Sequence, residues 1–303
     1  MTDDGRRRAA RDGGRTTPPR GAHTKAGTRT KAVSTRNATF QHWQTLLGNR
    51  TKRNRAGEMI VQGVRPITLA LDTGLETRAV LVTHTRERTP SRWAAEAIVR
   101  AEAAGAERFL VDAELMRELG EKEEDAPEVL LVVAIPPDDP ARLPVPADAL
   151  LVALDRPASP GNIGSITRSI DALGGHGLIV TGHAADPYDP RAVRASTGST
   201  LVTPTVRLAG AAQVLDWVGR IRAGGAPLQV VGTDENGTRD VWDADLTGPT
   251  LIVTGNEHSG MSGAWRGACD VLARIPMTGH ASSLNAANAT TTLLYEALRQ
   301  RRR

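Results

Sequence analysis

Two rhythms alternate along this chain. Short apolar runs such as "AVLVTH", "EVLLVVAI", "ALLVALD", "HGLIVTG" and "TLIVTG" are rich in branched side chains and stop within a few positions, which predicts strands. Between them apolar residues return every three or four positions. Phe40, Trp43, Leu46 and Leu47 keep that spacing, as does "SRWAAEAIVRAEAAGA", which predicts helices. The alternation runs through "EMIVQG", "AVLVTH", "ERFLVD", "AELMRELGE" and "EVLLVVAI", and predicts a small α/β unit over 37–135. "PPDDPARLPVPAD" (136–148), rich in proline and acid, reads as a linker. The alternation resumes over 149–303, where near-continuous apolar strands suit a parallel sheet covered on both faces.

The closing segment, "IPMTGHASSLNAANATTTLLYEALRQRRR", begins like the end of a strand and finishes like an amphipathic helix. Its middle is small and polar where a helix would bury Leu or Ile. Side chains of that size let something come close to the backbone.

Composition narrows the class. The chain has 303 residues, enough for two domains, and at 40% hydrophobic with 3% aromatic it builds cores from aliphatic side chains. No apolar run approaches the ~18–20 residues of a membrane span, and the charged N-terminus lacks a signal-peptide apolar region, so a cytoplasmic protein is expected. The single cysteine, Cys269, excludes a disulfide framework and a cysteine-cluster zinc site, and reads as a small buried residue. His176 and His183 lack partners at metal spacing, so no metal site is expected.

Charge is unevenly placed. The formal net charge is +4, but residues 1–36 hold ten Arg and Lys against three Asp, leaving slightly more acids than bases in the rest. That arm has almost no large apolar residue and is expected to be disordered. A flexible basic arm suits a polyanion such as RNA. "NRTKRNRAGE" reads as a second basic element, a loop presenting Arg50, Lys52, Arg53 and Arg55 to RNA.

Ligands of parallel α/β sheets bind beyond the C-terminal strand ends. Four such ends are followed by "RPASPGNIGSITRS", "GTDENGT", "TGNEHSGMS" and "PMTGHASSLNAAN", rich in Gly, Ser, Thr and Asn. Neither a P-loop nor a Gly-x-Gly-x-x-Gly after a first strand is present.

"NIGSITRSIDALG", "TGNEHSGMS" and "IPMTGHASSLNAANA", in that order, resemble the three motifs of the SpoU (TrmH-like) RNA 2′-O-ribose methyltransferases of the SPOUT class. The upstream unit, with "AGEMIVQGVRPI", resembles the L30e-like substrate-binding domain that often precedes them. The opening "SRNATFQHWQTLLGNRTKRNRAGEMIVQGVRPI" is similar to avilamycin-resistance 23S rRNA methyltransferases of actinomycetes. The resemblance implies a trefoil-knotted methyltransferase domain, a homodimer, S-adenosylmethionine as cofactor and RNA as substrate, most specifically a uridine of 23S rRNA. A role in resistance to orthosomycin-type antibiotics follows from it, and neither DNA nor membrane partners are expected. A housekeeping rRNA or tRNA 2′-O-methyltransferase would carry the same motifs, and a non-catalytic RNA-binding protein is the alternative of another class.

The resemblance also assigns residues. Gly255, Ile275 and Leu284 would hold the adenosine largely through the main chain, with Thr233, Met277 and Ser283 completing the cofactor pocket. Asn162 would orient Arg168 or the substrate. Arg168 would meet the target ribose and phosphate, from one subunit to the other's cofactor, and Glu257 would fix its loop and pair with Arg168. Ser283 and Asn285 would lie near the target nucleotide. Two positions depart from the family pattern: Gln62 stands where Glu is common, and Ala286-Ala287 where Val-Ser is common.

Overall fold

The computed structural model describes residues 30–84 and 89–302. The basic arm therefore lies outside the described residues as far as residue 29. Its end is ordered, contrary to expectation. Strand β1 (Lys31–Val33) pairs in parallel with a sheet edge, Val33 is buried, and Arg36 bridges to Glu114 and Glu118. One buried valine and a ladder that satisfies the backbone are enough to anchor it.

The first unit continues with α1 (Ala38–Gly48), α2 (Arg50–Ala56), β2 (Glu58–Gln62), α3 (Val64–Asp72) and β3 (Thr77–His84). Helix α4 (Arg92–Ala103), β4 (Glu107–Asp112), α5 (Ala113–Gly120) and β5 (Val129–Ala134) complete it. Its sheet runs β1-β4-β3-β5-β2, with β5 antiparallel to both neighbours. The segment expected as a basic loop is instead helix α2. Asn49 caps it by accepting from the Lys52 N–H, and Gly57, in the left-handed region at φ 62°, ends it.

The 136–148 stretch is packed rather than free. It contains a 3₁₀ turn (Pro140–Arg142), and Leu143 is buried in the second unit's core.

The second unit comprises β6 (Leu150–Asp155), α6 (Pro160–Ala172), β7 (Gly177–Thr181), α7 (Pro190–Ala195) and β8 (Thr205–Leu208). Then come α8 (Ala211–Ala223), β9 (Gln229–Thr233), β10 (Arg239–Asp240) and β11 (Thr250–Thr254). Helix α9 (Gly263–Arg266), β12 (Val271–Arg274) and α10 (Ala286–Arg301) close the chain. The sheet order is β10-β12-β9-β11-β6-β7-β8 and every pairing is parallel. Separate apolar clusters cover its two faces, one with Leu150, Val152, Ile163 and Leu293, the other with Leu151, Ile179, Trp217 and Trp265. That explains the unbroken apolar strands.

Chain order reverses around β6. The chain first moves outward through β7 and β8, then returns so that β11 lies between β6 and β9. A crevice opens at such a reversal. Among the described residues no helix is long and apolar enough to cross a membrane.

Candidate active site

The site is assembled at the C-terminal ends of β6, β9, β11 and β12. Strand β6 ends in Asp155, which is 4% exposed. Its carboxylate accepts from the Ser262 N–H at 2.8 Å and from the Arg156 Nε at 3.1 Å. A buried charge held this way ties the loop after β11 to the end of β6. Asn256 adds a second tie, donating its amide to the Arg156 carbonyl at 2.6 Å while its oxygen accepts from the N–H groups of His258 and Ser259. Gly260, at φ 65°, closes that turn.

Helix α6 begins beside this loop. Ser159 is its N-cap, accepting from the Asn162 N–H, and Pro160 fills the first turn, where a missing N–H costs nothing. Glu257 reaches across from the β11 loop. It accepts from the Ala158 N–H at 2.8 Å, the Ser159 N–H at 3.2 Å and the Asn162 side-chain amide at 3.0 Å. Burial pushes the Glu257 carboxyl up, but the Ala158, Asn162 and Ser159 donors outweigh it and hold it below the usual range. Asn162 in turn accepts from the Asn285 amide at 3.1 Å, and Asn285 caps α10 by accepting from the Ala287 N–H.

A cavity of about 330 Å³ lies against these loops. Thr233, Gly255, Ile275, Met277, Ser283 and Leu284, the six positions assigned to a cofactor, all line it, as does Glu257. The segment expected to start the last helix does not do so. Residues 275–285 form an irregular wall, and α10 starts at Ala286. Among the described residues the main-chain groups of 276–284 have no hydrogen-bond partner within the protein. Strand-like and helical pairing are both absent there, and Met277, Ser283 and Leu284 of this stretch line the cavity. Gly255 is a position without room for a side chain: a Cβ there would sit 2.3 Å from the Met261 nitrogen.

This wall suits S-adenosylmethionine. Ile275, Met277 and Leu284 supply apolar surface, and Thr233 and Ser283 supply polar side chains beside it. Asp234 adds an acidic group at the rim, paired with Arg266 at 2.9 Å.

Other predicted positions fall elsewhere. Arg168 is on the exposed face of α6, makes no ion pair among the described residues and does not line the cavity. The expected Glu257–Arg168 pair is absent, because Glu257 is already filled by donors from the start of α6. Lys52 and Arg55 are exposed on α2, and Arg50 is exposed with its guanidinium donating to the Ala184 carbonyl at 2.5 Å.

Arg53 corrects the sequence reading. It is 1% exposed and pairs with Asp186 at 2.8 Å, so it is not on the RNA-facing surface. Cys269 is half-buried behind Gly232, with its thiol pushed up to about 12 by burial. His176 accepts from the Leu150 N–H, and His183 is exposed. Sequence reasoning passed over Asp155, Asn256 and Thr290. An acid ending an apolar strand was the available signal for Asp155. Thr290, whose buried hydroxyl meets that of Thr254 at 2.8 Å and seats α10 on β11, gave none.

Comparison with known proteins agrees with this geometry. Residues 37–131 match the SpoU L30e-like domain and residues 149–295 match the SpoU rRNA Methylase family. The chain is 55% identical, over 93% of its length and 96% of the relative's, to a 23S rRNA (uridine(2479)-2′-O)-methyltransferase of Streptomyces viridochromogenes. The crystal structure of the SpoU methyltransferase AviRb from Streptomyces viridochromogenes, in complex with AdoMet, superposes with a TM-score of 0.82 at 56% identity, covering 88% of this chain and 98% of that one. An AdoMet-bound rRNA methyltransferase from Sinorhizobium meliloti gives a TM-score of 0.78 at 27% identity, covering 89% and 98%. The chain belongs to the SpoU rRNA methylase family, the S-adenosylmethionine-dependent RNA ribose 2′-O-methyltransferases.

Proposed function

We propose that this protein methylates the ribose 2′-oxygen of a uridine in 23S rRNA, in the cytoplasm, and that the modification protects the ribosome from an orthosomycin-type antibiotic. The observation that carries the reading is that Glu257 lines the same strand-end cavity as the six cofactor positions and is joined by hydrogen bonds to Asn162 and, through it, to Asn285. The identity to the Streptomyces viridochromogenes enzyme over nearly the whole chain supports the choice of substrate.

S-adenosylmethionine supplies an electrophilic methyl group when bound. The protein's work is to place a ribose hydroxyl in line with it, and positioning of that kind accounts for much of the rate. Gly255, Ile275, Met277 and Leu284 would hold the cofactor. Glu257, ionised and fixed by three donors, sets the start of α6 against that wall. A guanidinium offers five N–H donors and no acceptor, so the part of Arg168 is to hold the target phosphate and stabilise the negative charge developing on the 2′-oxygen, whose proton leaves to solvent. It stands free on the outer face of α6, which suits delivery to the cavity of a second subunit in a homodimer. Threading of 275–301 past the loop pinned by Asp155 and Asn256 would give the knot of the family.

The test is transfer of radiolabelled methyl from S-adenosylmethionine to 23S rRNA, 16S rRNA and bulk tRNA, followed by mapping of 2′-O-methyl sites. A single labelled uridine in 23S rRNA supports the proposal. Label confined to tRNA would overturn the substrate and keep the chemistry.

A further inference from the structure

We infer that Arg53 and Asp186 are positioning residues for methyl transfer, coupling the basic helix α2 to the catalytic loop of the second unit. The inference rests on the methyltransferase reading above and adds a route by which the RNA-facing unit acts on the site.

The junction is built from buried charge. Two nitrogens of Arg53, Nε and Nη2, meet Asp186 Oδ2 at 2.9 and 2.8 Å, and Nη1 donates to the carbonyls of Leu46 and Leu47 that end α1. Both ionic side chains are almost fully buried, at 1% and 2% exposure. Asp186 Oδ1 accepts from the Tyr188 N–H and lies 3.7 Å from Arg207. Arg207 also binds Asn54 of α2 at 2.7 Å and Asp138 at 2.8 Å, and its guanidinium lies over the Tyr188 ring at 5.4 Å. Arg50 adds its bond to the Ala184 carbonyl. Helix α2 therefore grips the loop 182–189 at Ala184 and Asp186, and β8 at Arg207.

That grip continues into the active site through direct hydrogen bonds. The Ala185 N–H donates to the Pro157 carbonyl at 2.7 Å. The next two residues, Ala158 and Ser159, give their N–H groups to Glu257. Glu257 holds Asn162, and Asn162 holds Asn285 of the cofactor wall. Packing gives the same link little slack. Tyr188, Val193 and Leu201 of the second unit are part of the first unit's apolar cluster, and Gly164 of α6 sits where a Cβ would fall 2.2 Å from the Ala192 carbonyl oxygen of α7. A buried ion pair adds little net stability over an apolar pair, but it fixes a geometry, since either charge alone is costly.

The experiment compares the full chain with R53K, D186N and the apolar double variant R53M/D186L. The double variant removes both charges and is expected to fold even where D186N, which leaves the buried Arg53 with only the more distant carboxylate of Asp189 at 3.6 Å, does not. Amide exchange over 156–162 and 182–189 is measured without RNA. Steady-state methylation, RNA affinity and S-adenosylmethionine affinity are measured alongside. The expected result is faster exchange in both segments in the double variant, with kcat down about ten- to a hundredfold, as for loss of precise alignment. KM for RNA should stay near that of the parent chain, and R53K, which keeps the charge, should recover part of kcat.

Unchanged exchange over 156–162 in a folded double variant would overturn the coupling. So would an intact kcat with weakened, salt-sensitive RNA binding, which would return Arg53 to direct phosphate contact. If the parent chain methylates no RNA, the methyltransferase reading fails, while the exchange data still decide the link.

Discussion

Asn285 donates its side-chain amide to Asn162 Oδ1 at 3.1 Å, across 123 residues of chain. One residue caps the last helix and the other lies in the first turn of α6, so this single bond joins the end of the cavity wall to the start of α6. Glu257 completes the set from the β11 loop.

Loss of either asparagine should therefore disturb more than one element. In N285A, α10 loses its cap, worth about 1 kcal/mol, and Asn162 loses its donor. A lower melting temperature and weaker S-adenosylmethionine binding by calorimetry are expected. N162A leaves the α10 cap in place, so it should retain stability better than N285A while losing methylation rate. Equal melting temperatures with equal rates in both variants would contradict the relay.

Gly255 lines the cavity from the loop after β11 and has no room for a side chain. The nearest obstruction to a Cβ is main chain, 2.3 Å away at Met261 and 2.4 Å away at Gly260, and main chain cannot rotate aside. G255A should cost about 1–3 kcal/mol in stability, as overpacking does, and should abolish cofactor binding first. Denaturant unfolding and calorimetric titration separate the two effects. Parent-like affinity would mean the loop has room that the structure denies.

Glu257 predicts an acid-side dependence. Its carboxyl sits below the usual range in the folded state, so its contribution is fully present above the ordinary carboxylate pKa and is lost as pH falls through the lower folded value. E257Q should remove that component, leaving a stability profile flatter on the acid side and a lower rate at neutral pH. Melting temperatures of both proteins from pH 7 downward test it, and superimposable profiles would count against it.

Arg168 should act on the second subunit. R168A should lower kcat with S-adenosylmethionine affinity unchanged, because the side chain does not line its own cavity. Mixing R168A with G255A, each inactive alone, should restore about a quarter of parental activity, since half the dimers then carry one complete site. No recovery, with mixed dimers shown by mass, would place the arginine in its own subunit's site.

Lys52 and Arg55 remain exposed on α2, whereas Arg53 does not. K52A/R55A should weaken RNA binding and flatten its salt dependence, by roughly one phosphate contact per side chain removed. Filter binding at two salt concentrations gives the slope, and an unchanged slope would remove α2 from the RNA interface.

Much of this protein was legible without coordinates. The unbroken apolar strands required a sheet covered on both faces, and that alone placed the chemistry at the loops after "LLVAL", "LQVV", "TLIV" and "VLARI". The small residues of 281–287 announced a backbone to be approached closely, and they do border the cavity wall. These features are local: period, side-chain volume and turn chemistry depend on neighbours in the chain.

What only the tertiary structure decided is which polar groups meet. Arg53 has the same composition around it as Arg50, Lys52 and Arg55, so charge alone grouped all four. Its partner, Asp186, is 133 residues away, and only the docking of the two units turns a surface cation into a buried clamp. Glu257 and Arg168 carry opposite charge and lie in neighbouring motifs, yet the backbone N–H groups of Ala158 and Ser159, just before α6, reach the carboxylate first. Sequence fixes which residues can ionise or donate; the fold fixes which donors arrive, because that depends on distances set by packing across the whole chain.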